Sequence, residues 1–151
     1  MMDEMETSER ASTALLVDRS VSMREGGKII AARKVSMALY ALMRATASRD
    51  TLHLISFCTR AHPLRPTDLP NLRCDDRNPY TNIQEALQIA GRLLSRDRTS
   101  RRQAILITDG EPTAHLARGG VFFQSPPSRK TVAATLEEAR RLCRGGAELI
   151  V

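Results

Sequence analysis

Apolar positions along the chain fall into two kinds of run, unbroken stretches of four to six residues and longer stretches that repeat every three to four. Ala14-Leu15-Leu16-Val17 is unbroken and stops at Asp18, Ala104 to Ile107 is another such run leading through Thr108 to Asp109, and Thr51 to Phe57 reads as a further strand. Runs without alternation suit strands buried on both faces, as in a parallel sheet covered by helices. Between them, residues 28 to 47 repeat with helical spacing, and Ile30, Val35, Ala38, Leu39, Leu42 and Ala45 are read as the inner face. A second helix opens at Thr81-Asn82-Ile83-Gln84-Glu85 and runs to about Ser95, with either Thr81 and Gln84 or Asn82 and Glu85 as a capping box. A third spans 131 to 144 and is stopped by Gly145-Gly146, after which Glu148 to Val151 begins a strand. Ala61 to Arg65 reads as a short edge strand, because Pro63 cannot donate to a ladder. Residues 66 to 80 read as loop with one helical turn near Thr67 to Leu69, and 111 to 130, rich in Pro and Gly, as a long mobile loop.

Strands alternating with helices predict an α/β fold: a doubly wound, mostly parallel sheet with helices on both faces. At 151 residues the chain suits one domain, placed at 13–151, behind a polar tail over 1–12. That tail has no apolar core of a signal peptide, and no apolar run is long enough for a membrane span. Cys58, Cys74 and Cys143 are odd in number and far apart, which points away from a disulfide framework or a zinc site and toward a reducing, cytoplasmic setting.

The formal charge is +6, with arginines at 92, 96, 98, 101 and 102 and again at 140, 141 and 144. Solvated helix faces account for them better than a nucleic-acid surface, since aromatic residues for stacking on bases are scarce. His53 falls inside a strand pattern and reads as packed. His115 follows the Asp109 turn and is weighed as a neighbour of a site there, with an ordinary loop position preferred. Cys58 reads as buried and inert.

In open α/β sheets ligands bind beyond the carboxyl ends of the strands, at the point where successive connections leave in opposite directions. Two acids stand at such ends, Asp18 and Asp109. With Ser20 and Ser22 they form an all-oxygen set suited to a hard cation such as Mg²⁺.

The order Asp18-x-Ser20-x-Ser22, Thr81 at a helix start, then Asp109 in Ile107-Thr108-Asp109-Gly110 resembles the metal-ion-dependent adhesion site of von Willebrand factor A (vWA) domains. The stretch from Ile107 to His115 further resembles a bacterial cytoplasmic branch often associated with AAA ATPases of the MoxR or magnesium-chelatase kind. The resemblance implies a Rossmann-like fold and a Mg²⁺ or Mn²⁺ ion. Ser20, Ser22 and Thr81 would supply neutral oxygens, with Asp18 and Asp109 acting directly or through water. It also implies a partner protein whose Glu or Asp completes the coordination. Two positions that are commonly glycine in the family hold Val21 and Tyr80, and strain is expected in both loops. The family fold continues through a further helix, strand and helix, so the chain is expected to be shortened at its C-terminal end.

No nucleophile paired with a base is visible, so a non-catalytic interaction domain is the first reading. A Mg²⁺-dependent phosphate-ester hydrolase is the alternative. Against it, Gly27-Lys28 lacks the remaining residues of a phosphate loop. A nucleic-acid-associated module stands third.

Overall fold

The fold is described from a computed structural model covering residues 10–46, 49–97 and 101–151. Strand β1 (Ala11–Asp18) is followed by a 3₁₀ segment (Val21–Gly27), helix α1 (Lys28–Thr46), β2 (Thr51–Phe57), β3 (Ala61–Leu64) and a second 3₁₀ segment (Pro66–Asn71). Helix α2 (Ile83–Ser95), β4 (Arg101–Ile107), β5 (Ala114–Ala117), β6 (Gly120–Phe123), α3 (Arg129–Arg144) and β7 (Glu148–Ile150) complete the order. Five strands form one sheet in the order β3-β2-β1-β4-β7, parallel except for β3, while β5 and β6 pair as a separate hairpin. The doubly wound α/β expectation is met.

Side chains of β1 alternate between two cores, which is why the run had to be apolar throughout. Leu15 and Val17 face one layer with Met23, Ala32, Leu54, Leu69 and Leu72. Ala14 and Leu16 face the other, with Ile55, Phe57, Leu106 and the α2 residues Ile83, Ala86, Leu87 and Ala90. Truncating a fully buried leucine in such a layer typically costs about 2–5 kcal/mol.

Several expectations need correction. Most of the tail placed over 1–12 lies outside the described residues, but Ala11 and Ser12 already belong to β1. Ser12 is fully buried and its hydroxyl is bonded to Asp97, so a polar residue is accommodated at the strand start. Residue 47, placed in the first helix, and 98 to 100, read as the basic return, also lie outside the described residues. The inner face of α1 is turned from the one expected. Ala32 and Ser36 are its buried residues and Ile29, Leu39 and Tyr40 pack beside them, whereas Ile30, Val35 and Leu42 are exposed. Small residues allow close approach to the sheet, and the Ser36 hydroxyl is satisfied by the Ala32 carbonyl (2.6 Å). The segment 111 to 130 is not one long loop: it contains the β5–β6 hairpin and the first two residues of α3.

Gly26 and Gly27 have φ of 60° and 69°, two consecutive left-handed positions that let the chain leave the 3₁₀ segment and enter α1 at a new angle. Among the described residues no non-glycine has a positive φ, so the strain expected at Val21 and Tyr80 is absent. No helix among the described residues is long and apolar enough to cross a membrane.

The start of α2 is tied to the β2–β3 turn. Asn82 caps the helix by accepting from the Glu85 N–H (2.8 Å), and donates through its side chain to the Thr59 carbonyl (3.0 Å). Glu85 does not complete the expected capping box. Its carboxylate instead takes a two-pronged bond from Arg60 (2.9 Å each) and the Ala61 N–H (2.8 Å). Burial is the largest single influence on Glu85 and opposes its charge, but Arg60, the Ala61 N–H and His62 together hold the carboxyl below the ordinary glutamate range.

A lowered acid pKa in the fold means stability that is present above the unfolded value of about 4.3 and lost as pH falls through the folded value. Glu85→Gln is therefore expected to lower stability at neutral pH by about 1–3 kcal/mol. It should also flatten the acid limb of the stability curve below about pH 4.3, as read by chemical denaturation across pH.

Candidate metal centre

Asp18 ends β1 with no exposed surface, and both of its carboxylate oxygens are used. Oδ1 accepts from the Ser20 N–H (2.7 Å), which folds the loop back over the strand end, and Oδ2 accepts from the Thr108 hydroxyl (2.6 Å) at the end of β4. Burial, above all, raises the pKa of this carboxyl, and nearby Asp109 adds to the rise, while the bonds from Thr108 and Ser20 work against it. The second anchor of the loop is the Val21 N–H, which donates to the Pro79 carbonyl (3.2 Å). The Cys74 thiol donates to the Ser20 carbonyl (3.2 Å).

From this buried carboxylate a chain of oxygens leads outward. The Ser20 and Ser22 hydroxyls lie 3.2 Å apart, and Ser22 donates to Asp109 Oδ1 (3.1 Å). The other oxygen of Asp109 receives the Lys28 ammonium at 2.9 Å, and this hydrogen bond and charge raise the lysine pKa. Thr81 comes from the segment that precedes α2. It shares with Ser22 and Asp109 the lining of a cavity of about 420 Å³, whose other lining residues include Val21, Tyr80, Glu111 and Thr113.

The structure thus brings Asp18, Ser20, Ser22 and Asp109 into one hydrogen-bonded group and sets Thr81 beside it. β1 and β4 are neighbours at the point where the connections to β2 and β4 diverge, so the two acids come together. His115 does not join them: its Nδ1 is 2.9 Å from the Thr131 hydroxyl and its ring packs against Phe122. His53 pairs with Asp97 (2.9 Å), and Cys58 is buried, its thiol 3.7 Å from the Arg60 carbonyl.

Thr108, Lys28 and Thr113 were not recognised as parts of the site. A hydroxyl directly before the strand-ending acid was a usable signal for Thr108. Nothing near Lys28 in the chain announces a partner 81 residues away.

Thr81 is held from both directions along its backbone. Its N–H donates to the Thr113 hydroxyl (2.8 Å), and its carbonyl accepts from the N–H groups of Thr113 (3.0 Å) and Ala114 (3.1 Å). The hairpin that follows is fixed in turn by the Leu116 N–H on Gln84 Oε1 (2.9 Å) and by the buried Ala114. A stretch read as mobile is therefore the clamp on one of the site hydroxyls.

Residues 11–151 match the family model described as the Rv0959-like protein, vWA domain. The chain belongs to this vWA family. Protein Rv0959 of Mycobacterium tuberculosis (strain ATCC 25618 / H37Rv), an uncharacterized protein, is 33% identical over 153 residues, which cover 98% of this chain and 23% of the relative. The homologue Mb0984 of Mycobacterium bovis matches to the same extent, so the chain spans about a quarter of the length of these relatives. Among solved structures, BatB from Bacteroides thetaiotaomicron superposes with a TM-score of 0.63 at 19% identity, covering 93% of this vWA chain and 64% of that one. The vWF domain of the type V pili tip protein Mfa5 from Porphyromonas gingivalis superposes with a TM-score of 0.58 at 18% identity, covering 72% and 40%. At these identities the structural likeness establishes the fold.

The oxygens of this vWA cavity are of the kind a hard divalent cation prefers. Among the described residues no group of three or more His, Cys, Asp and Glu side chains is placed to hold a metal. Any ion taken here would depend largely on hydroxyls. The Lys28 ammonium resting on Asp109 already shows that the group accommodates positive charge.

Thr113→Val, which keeps the shape but loses the hydroxyl acceptor, should lower stability by about 1 kcal/mol. It should also speed amide hydrogen exchange at Thr81 while leaving Leu15 in β1 unchanged, as measured by NMR.

Proposed function

We propose that this vWA domain is a non-catalytic protein-binding module whose carboxyl-edge cavity holds Mg²⁺, or Mn²⁺, as a metal-ion-dependent adhesion site. The observation that carries the reading is the hydrogen-bonded group that runs from buried Asp18, through the Ser20 N–H and the Ser20 and Ser22 hydroxyls, to Asp109, with the Lys28 ammonium resting on its outer end. When bound, the ion would offer a coordination position to an acidic side chain of a partner. Ser20, Ser22 and Thr81 would contribute neutral oxygens, which leave a cation electron-poor and receptive to a carboxylate. Asp109 would face the ion at the cavity, directly or through water. Asp18, with both oxygens engaged, would act mainly by fixing the serine loop. The resemblance of Ile107 to His115 to the MoxR-associated branch makes an AAA ATPase the first candidate for the partner.

The same geometry gives Lys28 a part. Its ammonium competes with an incoming cation for Asp109, so ion affinity is set by a balance that the chain itself supplies. The hydrolase alternative gains nothing here, because the serine hydroxyls are directed to each other and to Asp109, which the Lys28 ammonium already engages.

Calorimetric titration with Mg²⁺ and Mn²⁺ should give one saturable site that Asp18→Ala abolishes, and Lys28→Met should tighten it by about tenfold. Equal binding by wild type and Asp18→Ala would place the ion elsewhere. Unchanged affinity in Lys28→Met would remove the lysine from the balance.

A further inference from the structure

One wall of the cavity has no part in ion binding. Val21, Pro79 and Tyr80 form it, in the same cavity that Ser22, Thr81, Asp109 and Glu111 line. The Tyr80 ring continues outward as a stack with Phe123, centroids 4.5 Å apart and planes 20° from parallel. Phe123 is 47% exposed and Val21 38%, so both offer apolar surface beside the cavity that a ligand there can cover. By contrast Phe122, the preceding residue on β6, is half-buried against His115. The shelf is built rather than loose. The Gln124 N–H closes the hairpin onto the Thr113 carbonyl (2.9 Å), Thr113 holds Thr81, and the Val21 N–H holds Pro79. Aromatic shelf and ion-site hydroxyl thus hang from the same few hydrogen bonds, and their spacing is set before any partner arrives.

We infer that the Tyr80–Phe123 stack, with Val21, is a specificity shelf for a protein partner that carries an aromatic or branched apolar residue beside the acid it offers to the ion. This rests on the metal-dependent reading above and deepens it. The chemistry follows from the two walls. A carboxylate suits the hydroxyl and cation side, with Lys28 at its edge. An apolar neighbour gains by covering the exposed ring of Phe123, since an offset stack adds to simple burial. A small free carboxylate would use one wall only.

The test uses the whole chain in saturating MgCl₂ and three short capped peptides. One carries glutamate next to phenylalanine, the second replaces that phenylalanine by glycine, and the third replaces the glutamate by glutamine. Affinities are read from chemical-shift titrations, and Mg²⁺ uptake is measured separately by calorimetry. The first peptide should bind about tenfold tighter than the second, with the third weakest. Phe123→Ser should erase the preference for phenylalanine without altering Mg²⁺ uptake, and Phe123→Tyr should keep it. Phe123 is about half exposed and lies outside the two main cores, so the fold is expected to tolerate both changes, and the unchanged Mg²⁺ isotherm verifies this. A chain that binds Mg²⁺ but ranks the first two peptides equally, or keeps its preference in Phe123→Ser, overturns the shelf alone. A chain that takes up no Mg²⁺ overturns the reading on which the shelf rests, and the shelf with it.

Discussion

A single buried carboxylate organises this end of the molecule. Asp18 lies at the end of the central strand without solvent, a position that costs free energy unless every lone pair it needs is met. The Ser20 N–H and the Thr108 hydroxyl meet them. In doing so they fix the loop that carries Ser20 and Ser22 and lock it to the neighbouring strand that delivers Asp109. The sheet order makes this possible, since β1 and β4 are adjacent where the chain turns both ways. Remove the carboxylate and the serine loop loses its anchor to β4 together with its bond to the strand end.

The Thr81 segment has a further support. Thr81 belongs to no strand, and its place is dictated by the β5–β6 hairpin on one side and by Asn82 on the other. The serine loop and the Thr81 segment are joined by the Val21 N–H on the Pro79 carbonyl, and the hairpin adds a support that only the Thr81 segment has. A ligand that touches both segments would therefore sense both supports at once.

The parts of this arrangement that could be read in advance were those written in unbroken local patterns. Apolar runs ending in Asp18 and Asp109 announced buried strands and their carboxyl edges, and the resemblance of Ser20, Ser22 and Thr81 to a vWA motif pointed to the rest of the candidate site. The face of α1 could not be read, because Ile29, Ile30, Val35, Leu39 and Leu42 spread apolar surface around much of the helix and period alone does not choose among rotations. The hairpin was hidden for another reason: Ala114 to Ala117 and Gly120 to Phe123 are too short to outweigh their Pro and Gly surroundings, and long-range bonds to Thr81 and Gln84 hold them. Lys28 was hidden because an ion pair between a helix start and a distant strand end leaves no local trace.

The central claim is that a divalent cation belongs among Ser20, Ser22, Thr81 and Asp109, over a carboxylate that shapes their loop. Crystals of the chain grown with MnCl₂ and measured near the manganese absorption edge test it most directly. The account predicts one strong anomalous peak in this cavity, within coordinating distance of the Ser22 and Thr81 hydroxyls, with Lys28 drawn away from Asp109. A peak only at some other site, or a cavity without one at saturating Mn²⁺, would contradict it.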